Sequence, residues 1–180
     1  MASFYSELMA APSTPQVLDT QVRANAGVGH ARMRYTRAAI TLDAVVAIGE
    51  VVRMKTFSSS DRLNWGYFHC SDAGTGGLID VGLYKAGTNH DGAVIDADLF
   101  MSAYDVKAAA REQIEILPNS ESGTLGGIDS GKTLWEMATL GAASYTSDPM
   151  EQWDIAIVPT EATTNTAWEV MMEFYYTSGD

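Results

Sequence analysis

Cysteine is almost missing from this chain of 180 residues, with Cys70 the single example. An internal disulfide is therefore impossible, and a cysteine-based metal cluster has no ligands to draw on. Long apolar runs are missing too: nothing approaches the roughly 20 residues that a membrane-spanning helix requires. The opening MASFYSELMAAPSTP lacks the basic-then-apolar pattern of a secretory signal. The expectation is use in a cytosol-like compartment with no membrane partner. His30, His69 and His90 are scattered, without the i, i+4 spacing of a zinc site.

Positive charge is also thin, with 11 lysines and arginines against 23 carboxylates and a net charge of −12. Residues 1–62 hold seven cations and five carboxylates, so that part is +2 and the remainder is −14. A surface this acidic repels phosphates, which argues against direct nucleic-acid binding by the main body. The early cationic segment is either a solvated mixed-charge face or a surface for an acidic partner.

What is present is globular: 46% hydrophobic and 19% charged residues, in a length suited to one domain. Residues 1–29 mix Pro12, Pro15, Gly27 and Gly29 with small polar residues and sustain neither structural period. They are expected to form an extended arm, with 30–180 as a single domain. RMRYTRAAITL reads as a strand with Arg32 and Arg34 on a basic outer face against Met33 and Tyr35. VVAIGEVVRMKTF reads as a second strand, NWGYFHC as a third, LIDVGLYK as a fourth and AVIDADLF as a fifth, the last with Asp96 and Asp98 outward. MSAYDVKAAARE has the composition of a short helix, QIEIL that of a short strand, and TLWEMATL the pattern of a helix stopped at Gly141. The end of the chain has the strongest alternation. QWDIAIVPT and AWEVMMEFYYT each bury one stripe, Trp153, Ile155 and Ile157 in the first and Trp168, Val170, Met172, Phe174 and Tyr176 in the second. Joined by the short EATTNTA, they read as an antiparallel hairpin.

About eight strands at spacings of ten to fifteen residues indicate an all-β fold: an antiparallel β-sandwich, jelly-roll-like, with one or two short helices in connections.

Candidate chemistry is sparse. GGIDSGKT, residues 126–133, matches the phosphate-binding loop pattern letter for letter, with Lys132 and Thr133 in the functional positions. Such a loop needs a buried strand running into it, whereas PNSESGTL precedes it here, so the match is assigned to chance. Asp80, Asp91, Asp96 and Asp98 fit no EF-hand spacing and read as a solvated strand face. Ser58, Ser59 and Ser60 lack the glycine elbow of a hydrolase nucleophile, and Cys70 reads as a half-buried strand thiol. Trp65, Trp135, Trp153 and Trp168 are a residue type that stacks on sugars, but three of them sit in strand stripes suited to core packing. No cofactor, metal or catalytic group is expected.

The run IDVGLYKAGTNHDGAVIDADLFMSAYDV, followed by TLWEMATLGAASYTSDPMEQWDIAIVPTEATTNTAWEVMMEFYY, resembles small virion proteins of tailed bacteriophages, of the capsid decoration or cement type. The resemblance covers roughly residues 64–177. It implies a non-enzymatic subunit on the outer capsid surface that bridges and stabilises major capsid subunits, often as a homotrimer. The partner-contact residues expected on physical grounds are Phe4, Tyr5, Leu8 and Met9 in the arm, with Arg23, Arg32, Arg34 and Arg37 as charged partners. The competing reading is a carbohydrate- or receptor-binding sandwich or a tail-associated component, which would show an exposed aromatic platform.

Overall fold

The computed structural model of the chain describes residues 4–5, 33–107, 109–116, 132–140 and 143–178. The strands are β1 (Phe4–Tyr5), β2 (Met33–Leu42), β3 (Val52–Ser58), β4 (Arg62–Cys70), β5 (Leu78–Lys85), β6 (Val94–Asp105), β7 (Arg111–Glu115), β8 (Gln152–Glu161) and β9 (Trp168–Thr177). One helix, α1 (Leu134–Leu140), precedes β8. They form two sheets, in the orders β1-β3-β8-β5-β6 and β2-β9-β4-β7. Every pairing is antiparallel except that of β1 with β3. With β1 set aside, odd and even partners alternate between the two sheets as two nested Greek keys, so the all-β sandwich is jelly-roll-like.

The expected terminal hairpin is not formed. β8 lies between β3 and β5, and β9 lies between β2 and β4 in the other sheet. The physical reason lies in the stripes themselves. Paired side by side, the two strands would still need other elements to cover one broad apolar surface; placed in opposite sheets, each stripe covers the other. Trp153, Ile155, Ile157, Trp168, Met172 and Phe174 are all fully buried, and Phe57 meets Phe174 edge-on at 5.2 Å. The crossing between them is pinned. Thr163 N–H donates to the Val46 carbonyl and its Oγ1 accepts from Val46 N–H, while the amides of Thr164 and Asn165 both donate to the Ala73 carbonyl.

Two more expectations change. The strand expected from residue 45 begins only at Val52, because Gly49 takes φ +78° in a turn and donates its amide to the Pro159 carbonyl. The helix expected over 101–112 is instead the end of β6 followed by β7. Burying Met101 beside Val81 and pairing Tyr104 with Ile79 outweighs the weak helical preference of alanine and lysine. The bulges in β6 are accommodated by Gly82, where a Cβ would come within 2.2 Å of the Asp96 carbonyl oxygen, and by Asp80, which accepts a 2.7 Å bond from Ala103 N–H. Helix α1 forms as expected. Thr133 and Glu136 make its capping box, with Thr133 N–H donating to Glu136 Oε2 at 2.8 Å.

The outer face of the β3-β8-β5-β6 sheet is covered by the 86–93 loop. Arg53 donates to the carbonyls of Lys85 and Gly92, lies 4.7 Å from the centre of the Tyr84 ring and reaches Asp154 Oδ2 at 3.3 Å. Asp154, wholly buried, also accepts from Thr56 Oγ1 at 2.7 Å and faces His90 Nδ1 at 2.9 Å. Asp96, expected outward and solvated, is 5% exposed. Removing one partner of a buried pair strands the other charge, so Asp154→Ala is predicted to lower stability by about 3–5 kcal/mol in urea unfolding. A loss below about 1 kcal/mol would show that the cluster does not hold the loop.

Candidate docking surface

The β2-β9-β4-β7 sheet presents its outer face to solvent. Register places Tyr35 opposite Tyr175 and Tyr175 opposite Trp65, with Arg37 and Tyr67 on either side of Glu173 and Ala39 and His69 on either side of Met171. Each of these side chains is of opposite parity to the buried Ala38, Leu42, Phe68, Met172 and Phe174. The rings at one end of this face form a connected group. Tyr35 and Tyr175 lie 5.1 Å apart, and Trp65 meets Tyr175 edge-on at 6.5 Å. Met33, Tyr35 and Trp65 remain 46%, 39% and 44% exposed, so a contiguous aromatic surface faces water.

Polar groups fix this surface in place. Tyr35 Oη donates to Glu173 Oε1 at 2.8 Å, and partial burial together with that bond pushes the Tyr35 phenol up to about 12. His69 Nδ1 accepts from Gln113 N–H at 3.3 Å, and its Nε2 lies 3.8 Å from Glu173 Oε2. Toward the other end, Arg37, Thr41, His69, Arg111, Glu169 and Met171 line an open groove of about 490 Å³. The aromatic patch and the mixed-charge groove thus lie side by side on one sheet face.

The expected contact residues are distributed unevenly. Phe4 and Tyr5 form β1 on the edge of the β3 sheet, while Leu8, Met9, Arg23 and Arg32 lie outside the described residues. Arg34 and Arg37 are both exposed on β2, which edges the other sheet. Of the basic outer face expected from Arg32 and Arg34, Arg32 lies outside the described residues, and Arg34 and Arg37 point to opposite sides of the strand. Arg37 shares the outer face with Met33 and Tyr35, and Arg34 has the parity of Ala38 and Leu42. Sequence reasoning assigned Trp65 to the core and did not single out Tyr175. The signal that could have placed both is the chemistry of the stripes: Trp65, Tyr67 and His69 carry polar atoms, whereas Leu63, Phe68 and Cys70 are suited to a dry interior.

Residues with catalytic potential are tied into structure. Cys70 is buried, and burial raises its thiol to about 11. Ser59 Oγ donates to Asp148 and Ser58 Oγ lies 2.8 Å from Ser60 Oγ, which closes the turn between β3 and β4. Thr133 of the phosphate-loop pattern is engaged by Glu136, and residues 126–131 lie outside the described residues. Among the described residues no group of three His, Cys, Asp or Glu side chains is placed to hold a metal ion.

Two measurements test this surface. Of the four tryptophans, Trp153 and Trp168 are fully buried, Trp135 is half-buried against the core and Trp65 is 44% exposed, so Trp65→Phe should remove the largest share of the acrylamide-quenchable fluorescence. Unchanged quenching would place Trp65 inside. Because the phenol of Tyr35 titrates near 12 when folded and near 10 when unfolded, the folded state holds its proton longer. Its contribution is intact below about pH 10 and lost as pH rises toward 12, so the decline in unfolding midpoint over that range should be shallower in Tyr35→Phe. An equally steep decline would contradict it.

No protein-family model matches this chain and no curated protein matches it. Among solved structures, a chain in the capsid of Ralstonia phage GP4 superposes with a TM-score of 0.62 at 12% identity, over 99% of each chain. A chain in the cyanophage Pam1 capsid asymmetric unit superposes with a TM-score of 0.51 at 12% identity, over 93% of this chain and 99% of that one. At such identities the likeness establishes a shared fold, and the fold is one that occurs in two bacteriophage capsids.

Proposed function

We propose that this chain is a structural virion protein of a tailed bacteriophage, made in the host cytoplasm and bound to the outside of the capsid as a decoration or cement protein. It would act as a homotrimer that bridges and stabilises major capsid subunits, without catalysis and without direct nucleic-acid contact. The observation that carries this reading is the end-to-end likeness to a chain of a phage capsid, over 99% of both. The engagement of Cys70, the Ser58–Ser60 turn and Thr133 in packing and capping supports the absence of an enzyme site. A protein that binds only the assembled shell stabilises that shell by mass action, and a trimer multiplies weak single contacts through effective concentration. Phe4, Tyr5, Leu8 and Met9, with Arg23, Arg32, Arg34 and Arg37, are the contacts proposed with the capsid. Phe4 and Tyr5 pair with β3 of this same chain, and strand addition of that kind is how such an arm would engage a neighbour.

The exposed rings of Tyr35 and Trp65, with the half-buried Tyr175 between them, favour one second reading, a carbohydrate- or receptor-binding sandwich of a virion. Quenching of tryptophan fluorescence by saccharides, abolished in Trp65→Phe, would support it over the first.

The test of the first reading uses heads assembled without this protein. Added chain is expected to bind them and raise the temperature at which they release DNA, and a chain lacking residues 1–29 is expected to bind at least tenfold more weakly. Heads that neither bind the chain nor gain heat resistance would overturn the reading; equal binding by the truncated chain would remove the arm from the contact.

A further inference from the structure

The edges of the two sheets do not end alike. β6 shifts register against β5 three times, and β7 is five residues long, shifts against β4 and holds Gln113 at φ 54°. The outer side of β3 is taken at Val52 and Arg53 by β1. Bulges, shortness and covering are the usual ways in which a sheet edge is kept from pairing with another chain. β2 has none of them. It runs ten residues in unbroken register with β9, contains neither proline nor glycine, and among the described residues no strand lies on its other side. Its outward amides and carbonyls are a template for one more strand.

The charges around this edge select the strand it can take. Arg34 and Arg37 are exposed and make no ion pair among the described residues, and β2 itself bears no carboxylate. They stand on opposite sides of the strand, Arg37 with Tyr35 on the outer face and Arg34 with the parity of the buried Ala38 and Leu42. Glu173, the residue opposite Arg37, is engaged by Tyr35 Oη. β3 approaches β2 at this side of the sandwich, and its half-buried Lys55, opposite the buried Ile155, shares the side of its sheet that faces the gap between the layers. Burial holds the Lys55 amine below its ordinary value, which the charge of Asp61 only partly offsets.

We infer that the open edge of β2 takes an extended acidic segment of a partner protein as an added strand. One carboxylate of that segment would lie over the outer face at Arg37, and another over the gap at Arg34 and Lys55. Successive side chains of an added strand alternate between faces, so two acidic residues three positions apart reach both arginines at once. The backbone ladder supplies affinity, and the charges choose the partner. A second β2 is disfavoured there, because it would bring two more arginines to the edge and no carboxylate. The contact does not depend on the partner being a shell protein.

The test uses the full chain and a fluorescent ten-residue threonine and valine peptide that carries two glutamates three positions apart. Binding is read by fluorescence anisotropy, and its place by hydrogen exchange of the β2 amides. The peptide is expected to bind, more weakly as salt rises, and to slow exchange across Met33–Leu42 severalfold. Replacing its glutamates with lysines, or setting them two positions apart so that both fall on one face, should weaken binding about tenfold. Arg34→Gln/Arg37→Gln should do the same, with unchanged circular dichroism showing that it folds; if it does not fold, the lysine peptide on the wild-type chain decides. No binding, binding that leaves β2 exchange unchanged, or equal binding of the lysine peptide would overturn the inference. Two other results would give the edge to a different occupant and overturn it equally. Protection of β2 that rises with the concentration of the chain alone marks a second copy, and peptide binding that appears only when residues 1–29 are removed marks the chain's own arm.

Discussion

The structure depends on two apolar stripes meeting across the gap between sheets. Trp153, Ile155 and Ile157 on β8 face the interior from one side, and Trp168, Val170, Met172 and Phe174 on β9 face it from the other. Each strand sits in the middle of its sheet, flanked on both sides, so these seven side chains organise the partners as well as the core. Once β8 and β9 are separated into opposite layers, β3 and β5 must flank the first and β2 and β4 the second. The two large indoles still reach hydrogen-bond partners at the rim, Trp153 to Glu151 and Trp168 to the Ser71 carbonyl, so their burial leaves no polar atom stranded.

The outer faces of the two layers have been treated differently. One is closed by the 86–93 loop, whose Gly92 carbonyl and His90, with the Lys85 carbonyl at the end of β5, hold the buried Arg53–Asp154 pair. The other carries Tyr35 and Trp65 toward water, with Tyr175 half-buried between them. Beside that second face lies β2, whose Arg34 and Arg37 are exposed and make no ion pair among the described residues.

Much of this was legible in the sequence, because period-two alternation reports burial directly. The strands β2, β4, β5, β8 and β9 and the helix at 134–140 were found from it. Pairing was not legible. A stripe says that a strand buries one face and nothing about whether its neighbour in sequence lies beside it or across the core, which is why β8 and β9 were expected as a hairpin. Alternation also leaves the inward stripe undecided where both are bulky, as with Trp65, Tyr67 and His69 against Phe68 and Cys70. Bulged strands hide their period, and β6 with its irregular register opposite Val81 and Leu83 was cut short for that reason. Arg34 and Arg37 were singled out from charge, while the grouping of Tyr35, Tyr175 and Trp65 on one face came only from the coordinates.

The central claim is that this is a β-sandwich whose open sheet face adheres to another protein surface. Hydroxyl-radical footprinting, with products resolved by mass spectrometry, reads that face directly by comparing the dilute free chain with the chain in an assembled particle. The account predicts that oxidation of Met33, Tyr35 and Trp65 falls severalfold on assembly. Oxidation of all three at the same rate in both states would contradict it.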